Sequence, residues 1–202
     1  AKAATRAAMR ALGLPVIPGS EGPVRTASEA LRVAEAIGYP VMLKAKAGGG
    51  GRGMRKVTST ADLQRMWDTA RSEAKASFGD DGIYLERCLE GVRHVEAQIL
   101  VDGHGNGLCL GERECSIQRR NQKMIEEAPS ASIGEALRRR IAGMAVDAAV
   151  RTGYRGVGTF EFLVDARDEP YFIEVNARIQ VEHTVTEAVT GVDLVKEQIA
   201  LA

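Results

Sequence analysis

Two runs late in the chain set carboxylates among apolar neighbours: Gly158-Thr159-Phe160-Glu161-Phe162-Leu163, and Tyr171-Phe172-Ile173-Glu174-Val175-Asn176-Ala177-Arg178-Ile179-Gln180-Val181-Glu182. β-Branched and aromatic residues dominate both, which predicts two strands, and the polar Asp165-Ala166-Arg167-Asp168-Glu169 between them predicts a turn. A hairpin that sets Asp165 opposite Pro170 also sets Glu161 opposite Glu174. Directly opposed residues hold their Cβ atoms roughly 5 Å apart. Two unit charges 4 Å apart repel by about 4 kcal/mol at an effective dielectric of about 20. Exposure, protonation of one acid, or a cation between the two would relieve this. Strands this rich in Phe, Tyr, Ile and Val are unsuited to full exposure, which leaves the proton or the metal.

Period two extends the polar face, so Glu174, Asn176, Arg178, Gln180 and Glu182 are expected on one side for as long as strand geometry lasts. A solvated, charged strand face would account for any one of these residues. It does not account for the set, because the apolar positions between them would then be the only buried side. Oxygen ligands suit Mg²⁺ or Mn²⁺ held partly by substrate phosphates. No nearby cysteine suggests a structural zinc site. A phosphate-binding element is therefore expected elsewhere in the chain.

Such an element is found upstream. Val41-Met42-Leu43-Lys44-Ala45 reads as a buried strand, followed by Gly48-Gly49-Gly50-Gly51-Arg52-Gly53-Met54 and the strand-like Arg55-Lys56-Val57. Glycines without side chains to pack predict a mobile flap whose N–H groups could wrap a polyphosphate, with Lys44 and Arg52 reaching the same anion. The spacing is neither a Walker loop nor a dinucleotide fingerprint. Ile83 to Leu89 reads as a strand crossing between lobes, where backbone groups and Glu86 could meet an adenine edge. His94 to Asp102 alternates, Asp102 to Gly107 reads as a hairpin turn, and Leu108 to Cys115 returns antiparallel. Ser116 to Lys123 is a polar, basic run expected as a loop able to bind anions.

The elements that would hold these pieces are helices over Ala1–Leu12, from a Thr26 or Ser28 cap to Ile37, over Thr60–Phe78 with Leu63, Met66 and Trp67 in the core, over Ile133–Thr152, and from Val192 to Leu201. Leu14 to Gly22 reads as a linker with a short extended piece. Antiparallel hairpins and helices in separate blocks predict an α+β protein in two lobes.

The 202 residues carry 27 basic and 27 acidic side chains, so no net charge draws the chain to nucleic acid or an anionic membrane. No apolar run is long enough to span a membrane, and the Ala-rich start lacks a secretion signal. Cys88, Cys109 and Cys115 are scattered, which predicts reduced, mostly buried thiols in the cytoplasm or an organelle matrix. His94, His104 and His183 are too far apart in sequence to suggest a metal cluster. Both ends fall inside helical patterns and read as cut edges.

The flap KAKAGGGGRGM, the run ECSIQRRNQK and the hairpin GTFEF with YFIEVNARIQVEHTVTE together resemble the biotin carboxylase members of the ATP-grasp superfamily, as found in acetyl-CoA, propionyl-CoA and pyruvate carboxylases. The likeness runs through nearly the whole chain. Carbamoyl phosphate synthetase shares the acidic hairpin and the Asn-x-Arg, but not the Gln-Val-Glu-His that follows here. The resemblance implies a two-lobed ATP-grasp fold: residues 1–15 as a linker helix, 16–88 as the lid with its glycine-rich flap, and 89–202 as the catalytic part.

It also implies the site. Lys2, Lys44, Gly50, Gly51, Glu86, Arg87, Cys88, Leu89, His94, Gln118, Asn121 and Leu163 would surround ATP, with Lys44 on the phosphates and Glu86 to Leu89 at the adenine. Glu161, Glu174 and Asn176 would hold the divalent cation. Lys123, Arg178, Gln180 and Val181 would hold bicarbonate, and Glu182 would take its proton, with Arg178 and Glu182 as the catalytic pair. Asn121 departs from the histidine of many relatives, and both can hydrogen-bond the ribose. The implied reaction carboxylates biotin through carboxyphosphate. Its partners are a biotin carboxyl carrier domain and a carboxyltransferase domain or subunit, in a homo-oligomer. The family's preceding nucleotide-fold domain, and a following region with a further arginine, are not in this sequence. Alternatives are another ATP-grasp carboxylate–amine ligase and a nucleotide-binding module without chemistry.

Overall fold

A computed structural model describes residues 2–48 and 53–201. Gly50 and Gly51, expected at the nucleotide, and Arg52 lie outside the described residues, as does the side chain of Lys2. Two antiparallel sheets carry the fold. The smaller has the order β2-β1-β3, from β1 (Val41–Ala45), β2 (Met54–Val57) and β3 (Ile83–Arg87). Helices α2 (Ala27–Ile37) and α3 (Thr60–Phe78) close it, burying Ala30, Ala34, Leu63 and Trp67 against Val41, Leu43 and Leu85. Thr26 Oγ1 accepts from the Glu29 N–H and Ser59 Oγ from the Asp62 N–H, so each helix starts on a hydroxyl cap. These caps supply acceptors for N–H groups that the helix itself cannot pair.

The larger sheet has the order β6-β5-β4-β7-β8, from β4 (Arg93–Val101), β5 (Gly107–Arg119), β6 (Gln122–Glu127), β7 (Gly156–Val164) and β8 (Pro170–Asn176). Val95, Ala97, Ile99 and Val101 of β4 and Phe160, Phe162 and Val164 of β7 form one core with Leu137, Ile141 and Ala145 of α4 (Glu135–Arg151). Met9 of α1 (Lys2–Ala11) and Leu14 join the same core. The chemical alternation expected over 94–102 holds, yet its polar half is not solvated: Glu96 and Gln98 are buried. They face a polar interior shared with α5 (His183–Thr190), a helix that its β-branched sequence HTVTEAVT conceals. The chain ends in α6 (Leu194–Leu201). No described helix is long and apolar enough to cross a membrane.

Residues 14–24 touch both sheets. Val16 pairs with Phe172 of β8, while Gly19 pairs with Glu86 and Val24 with Ile83 of β3. The Phe172 N–H donates to Pro15 O, and the Ser20 N–H to Leu85 O, each at 2.8 Å. The short extended piece expected within a linker is therefore an edge piece for both sheets. The polar run 116–123 is likewise structured. It closes the β5–β6 hairpin through Arg120 and Asn121, which have φ of 53° and 62°. Two consecutive positive φ values make a tight primed turn, usually signalled by Asn-Gly or Asp-Gly, and an Arg in that place hides it.

Candidate active site

The hairpin puts Glu161 opposite Glu174, by a different route from the one expected. Val164 faces Pro170, Leu163 faces Tyr171 and Phe162 faces Phe172; the register then shifts by one so that Glu161 faces Glu174 and Thr159 faces Asn176. Ile173 is the extra residue of this bulge, which turns the following side chains by one position. Both acids point into one cleft of about 1370 Å³ between the two sheets. The smaller sheet contributes Lys44, Tyr84 and Glu86; the larger contributes His94, Gln118, Lys123, Glu161 and Glu174.

Glu161 is 3% exposed and fully engaged. Its Oε2 accepts from His94 Nε2 at 2.7 Å; its Oε1 accepts from Asn176 Nδ2 at 2.7 Å, Gln180 Nε2 at 3.1 Å and Lys123 Nζ at 3.2 Å. Burial alone would raise its pKa, but the hydrogen bond from His94 and the charge of Lys123 outweigh that and hold it at about 2. Of the two ways out of the repulsion expected from the sequence, protonation of Glu161 is therefore removed. Donors around it do part of the work assigned to a metal. Gln118 fixes the histidine: its Nε2 donates to His94 Nδ1 and to Cys115 O, each at 2.7 Å, leaving His94 Nε2–H directed at Glu161.

Lys123, on β6, is the hub. Its ammonium donates to Glu161, to Glu182 Oε1 at 2.6 Å and, by a short bond, to Glu96 Oε2. Burial would lower its pKa, but these carboxylates raise it instead. Burial pushes Glu182 up, and the Lys123 bond brings it below the ordinary value, so it is ionised at neutral pH. Glu182 stands at the N-cap of α5, with Gln180 buried just before it. The strand ends at Asn176, so the alternation expected out to Glu182 fails beyond that point. A tight loop, not the pleat, returns Gln180 and Glu182 to the cleft. Arg178 is exposed there, donating to Ile179 O at 3.1 Å, and Val181 is 91% exposed at the cleft wall.

On the opposite wall, Lys44 pairs with Glu86 by a short bond. Arg6, from α1, lies 3.8 Å from Glu86 and donates to Ser20 O at 3.1 Å. Asn121 and Leu163 line the same cleft. Arg87, Cys88 and Leu89 do not; β3 ends at Arg87, and the N–H groups of Arg87 and Cys88 donate to Pro18 O and Pro40 O, each at 2.8 Å. Sequence reasoning missed Arg6, Glu96 and Arg113. The signal for Glu96 was a charge in the middle of an apolar strand, which demands a buried partner.

The donor set fits a hard divalent cation. Glu161 and Glu174 are opposed, Asn176 can turn its amide oxygen toward them, and Gln180 Oε1 is buried with no hydrogen-bond partner among the described residues. A rival cluster of His94, Glu96 and Glu161 has ligand atoms within 4.8 Å of one another. Glu96 in that cluster is 0% exposed and bonded by two cationic side chains, Arg113 and Lys123, which already stand where a metal's charge would.

Residues 1–202 match the family model described as the carbamoyl-phosphate synthase L chain, ATP binding domain. The biotin carboxylase of Nostoc sp. is 53% identical over 201 residues, covering 100% of this chain and 45% of the relative. The structure of a Campylobacter jejuni biotin carboxylase in complex with β,γ-ATP superposes with a TM-score of 0.94 at 48% identity, over 99% of this chain and 45% of that one. The biotin carboxylase domain dimer of Hydrogenobacter thermophilus 2-oxoglutarate carboxylase, with MgADP, ADP and bicarbonate, gives 0.93 at 48% identity, over 99% and 44%. The chain spans about half the length of the relatives it matches. With its antiparallel sheets, its two-walled cleft and its opposed carboxylates, this chain belongs to the carbamoyl-phosphate synthase L chain ATP-binding domain family, and its ATP-grasp fold is similar to that segment of the biotin carboxylases.

Proposed function

We propose that this chain is the ATP- and bicarbonate-handling segment of a longer ligase, a biotin-dependent carboxylase of the cytoplasm or an organelle matrix. The observation that carries this is the Lys123 ammonium shared by Glu161 and Glu182, at the meeting point of an expected metal site and an expected base. Residues 16–88 act as the lid and 89–202 as the catalytic part. Two separate apolar cores support that division, although α1, taken from the sequence as a linker helix, packs on the second.

Glu161, Glu174 and Asn176 hold Mg²⁺ or Mn²⁺. When bound, the metal neutralises charge developing on the transferred phosphoryl group. Lys44 meets the phosphates once it leaves Glu86, and the Glu86 to Leu89 segment is assigned to the base by family likeness, with Glu86 the one of its four residues that lines the cleft. Lys2, Gly50 and Gly51 belong to the same nucleotide set by family likeness, with His94, Gln118, Asn121 and Leu163 beside the nucleotide. Lys123, Arg178, Gln180 and Val181 hold bicarbonate, where the forked guanidinium of Arg178 supplies a grip lysine could not copy. Glu182, ionised beside Lys123, takes the bicarbonate proton as the oxyanion attacks the γ-phosphate. ADP leaves as carboxyphosphate forms; carboxyphosphate breaks down to CO₂ and phosphate, and biotin on a carrier domain takes the CO₂ and gives its N–H proton to that phosphate, with a carboxyltransferase downstream, in a homo-oligomer.

The test uses the full-length protein carrying this segment. Bicarbonate-dependent ATP cleavage is lost in Glu182→Gln, and turnover at the wild-type rate removes Glu182 from the base role. Mg²⁺-dependent nucleotide binding weakens in the Glu161→Gln, Glu174→Gln double variant; unchanged binding refutes the metal assignment.

A further inference from the structure

Arg113 lies in the middle of β5 with its side chain 0% exposed. A guanidinium so far from water is costly unless every donor is met. Here the partners come from three different elements. Arg113 Nε donates to Glu96 Oε1 at 2.6 Å and Nη1 to Gln98 Oε1 at 2.7 Å, both on β4. Nη1 also donates to Thr186 Oγ1 of α5 at 2.7 Å, and Nη2 reaches Thr159 Oγ1 of β7 at 3.4 Å. Gln98 is itself held, since its Nε2 donates to Gly158 O at 2.9 Å, which keeps its oxygen toward the arginine.

We infer that Arg113 is a positioning residue for the bicarbonate end of the cleft, acting through two limbs; this rests on the roles proposed above for Lys123 and Glu182. The first limb is Glu96. Arg113 takes one of its oxygens and Lys123 the other. An ammonium has three N–H donors, and those of Lys123 go to Glu96, Glu161 and Glu182. Fixing Glu96 therefore fixes the direction of the other two. Without the arginine, Glu96 would be a fully buried carboxylate with Lys123 as its only cationic partner, and it would draw Lys123 away from the cleft. The second limb is Thr186, one helical turn beyond Glu182 on the helix that Glu182 starts. A single guanidinium thereby docks both the helix carrying the base and, through Glu96, the lysine beside it. None of its direct partners is among the residues assigned to the nucleotide.

The test compares wild type, Arg113→Lys and Thr186→Val in the full-length enzyme. Arg113→Lys keeps the charge and loses the fork; Thr186→Val cuts only the helix limb. The KM for bicarbonate rises about tenfold or more in Arg113→Lys and severalfold in Thr186→Val, as misplacing a reacting group does, while the KM for ATP stays within about twofold of wild type. A purely structural arginine would lower kcat with the folded fraction and leave both KM values alone, and that result overturns the inference. So does a joint rise of both KM values. Should Arg113→Lys fail to fold, the Thr186→Val values decide alone. A further readout is independent of turnover. In the wild type the Lys123 ammonium, held by three carboxylates, gives a slowly exchanging ¹⁵N–¹H signal, which Arg113→Lys removes and Thr186→Val retains; the wild-type signal persisting in a folded Arg113→Lys overturns the role of Arg113. A wild-type enzyme with no bicarbonate-dependent ATP cleavage overturns the proposed function instead, and the ammonium signal still judges the arginine.

Discussion

Gly19→Ala tests how closely the fold and the cleft depend on one backbone contact. A Cβ built on Gly19 would lie 2.3 Å from Leu85 O and 3.0 Å from both Glu86 Cα and Cγ. Gly19 carries no positive φ, so the obstacle is contact and not torsion. Carbon and carbonyl oxygen approach no closer than about 3.3 Å in weak C–H···O contacts, so the strand must move by about 1 Å. That displacement strains the Ser20 N–H to Leu85 O bond and the Arg87 N–H to Pro18 O bond, both 2.8 Å, as well as the Leu85 N–H to Ser20 Oγ bond at 3.1 Å. Losing two of them costs about 1 kcal/mol each. Forcing a methyl into a packed contact costs roughly 1–3 kcal/mol, while the stiffer unfolded chain returns about 0.4–1 kcal/mol. The net expectation is a loss of roughly 2–4 kcal/mol, read as a lower midpoint at unchanged slope in urea denaturation. Because Ser20 O also accepts from Arg6 and Glu86 is the paired residue, nucleotide affinity falls as well. A midpoint within about 0.5 kcal/mol of wild type, the usual scatter of a harmless substitution, would refute the reasoning.

Other perturbations have equally definite outcomes. Phe172 is buried and meets Phe160 and Phe162 at centroid distances of 5.9 and 6.1 Å, so Phe172→Ala costs about 3–5 kcal/mol in denaturant unfolding, and a loss under 1 kcal/mol would contradict the packing. Glu161, held at about 2 against an ordinary 4.5, contributes stability that is complete above the unfolded value and is lost as pH falls through the folded one. The difference amounts to about 3 kcal/mol. Unfolding free energies measured between pH 5 and pH 2 should decline less steeply in Glu161→Gln, and identical slopes would exclude the assignment. Burial pushes the Cys109 thiol up to about 11 and raises those of Cys115 and Cys88. Alkylation at neutral pH is therefore slow in the native protein and fast in denaturant, and rapid native labelling of all three would disprove their shielding.

Legibility in the sequence followed how local the cause of each feature is. The helix over Thr60–Phe78 reads directly, since its stripe lies within it and its Ser59 cap and terminal Gly79 lie immediately beside it. Glu161 and Glu174 emerge as opposed from a uniform register, but the turn sits one residue away from the expected place and a bulge at Ile173 restores the match. No pattern in Tyr171-Phe172-Ile173-Glu174 marks that bulge. The strand Gln122–Glu127 was hidden by a primed turn built on Arg120-Asn121. The helix His183–Thr190 was hidden by five β-branched residues whose helical state is settled by docking on β5. Most of the cleft's charges were legible because residue type announces them. Lys123 as a hub was not, because the three acids it joins are scattered between residues 96 and 182 and only folding brings them together.

The edge piece at residues 14–24 limits how the two walls can move. Only two residues, Ile17 and Pro18, separate the pairing of Val16 with one sheet from that of Gly19 with the other, a tether of three residue steps, about 10 Å at full stretch. While both pairings hold, the two sheets cannot part along this spine by more than that reach. Inserting residues into the tether should therefore loosen the binding of everything the two walls grip together.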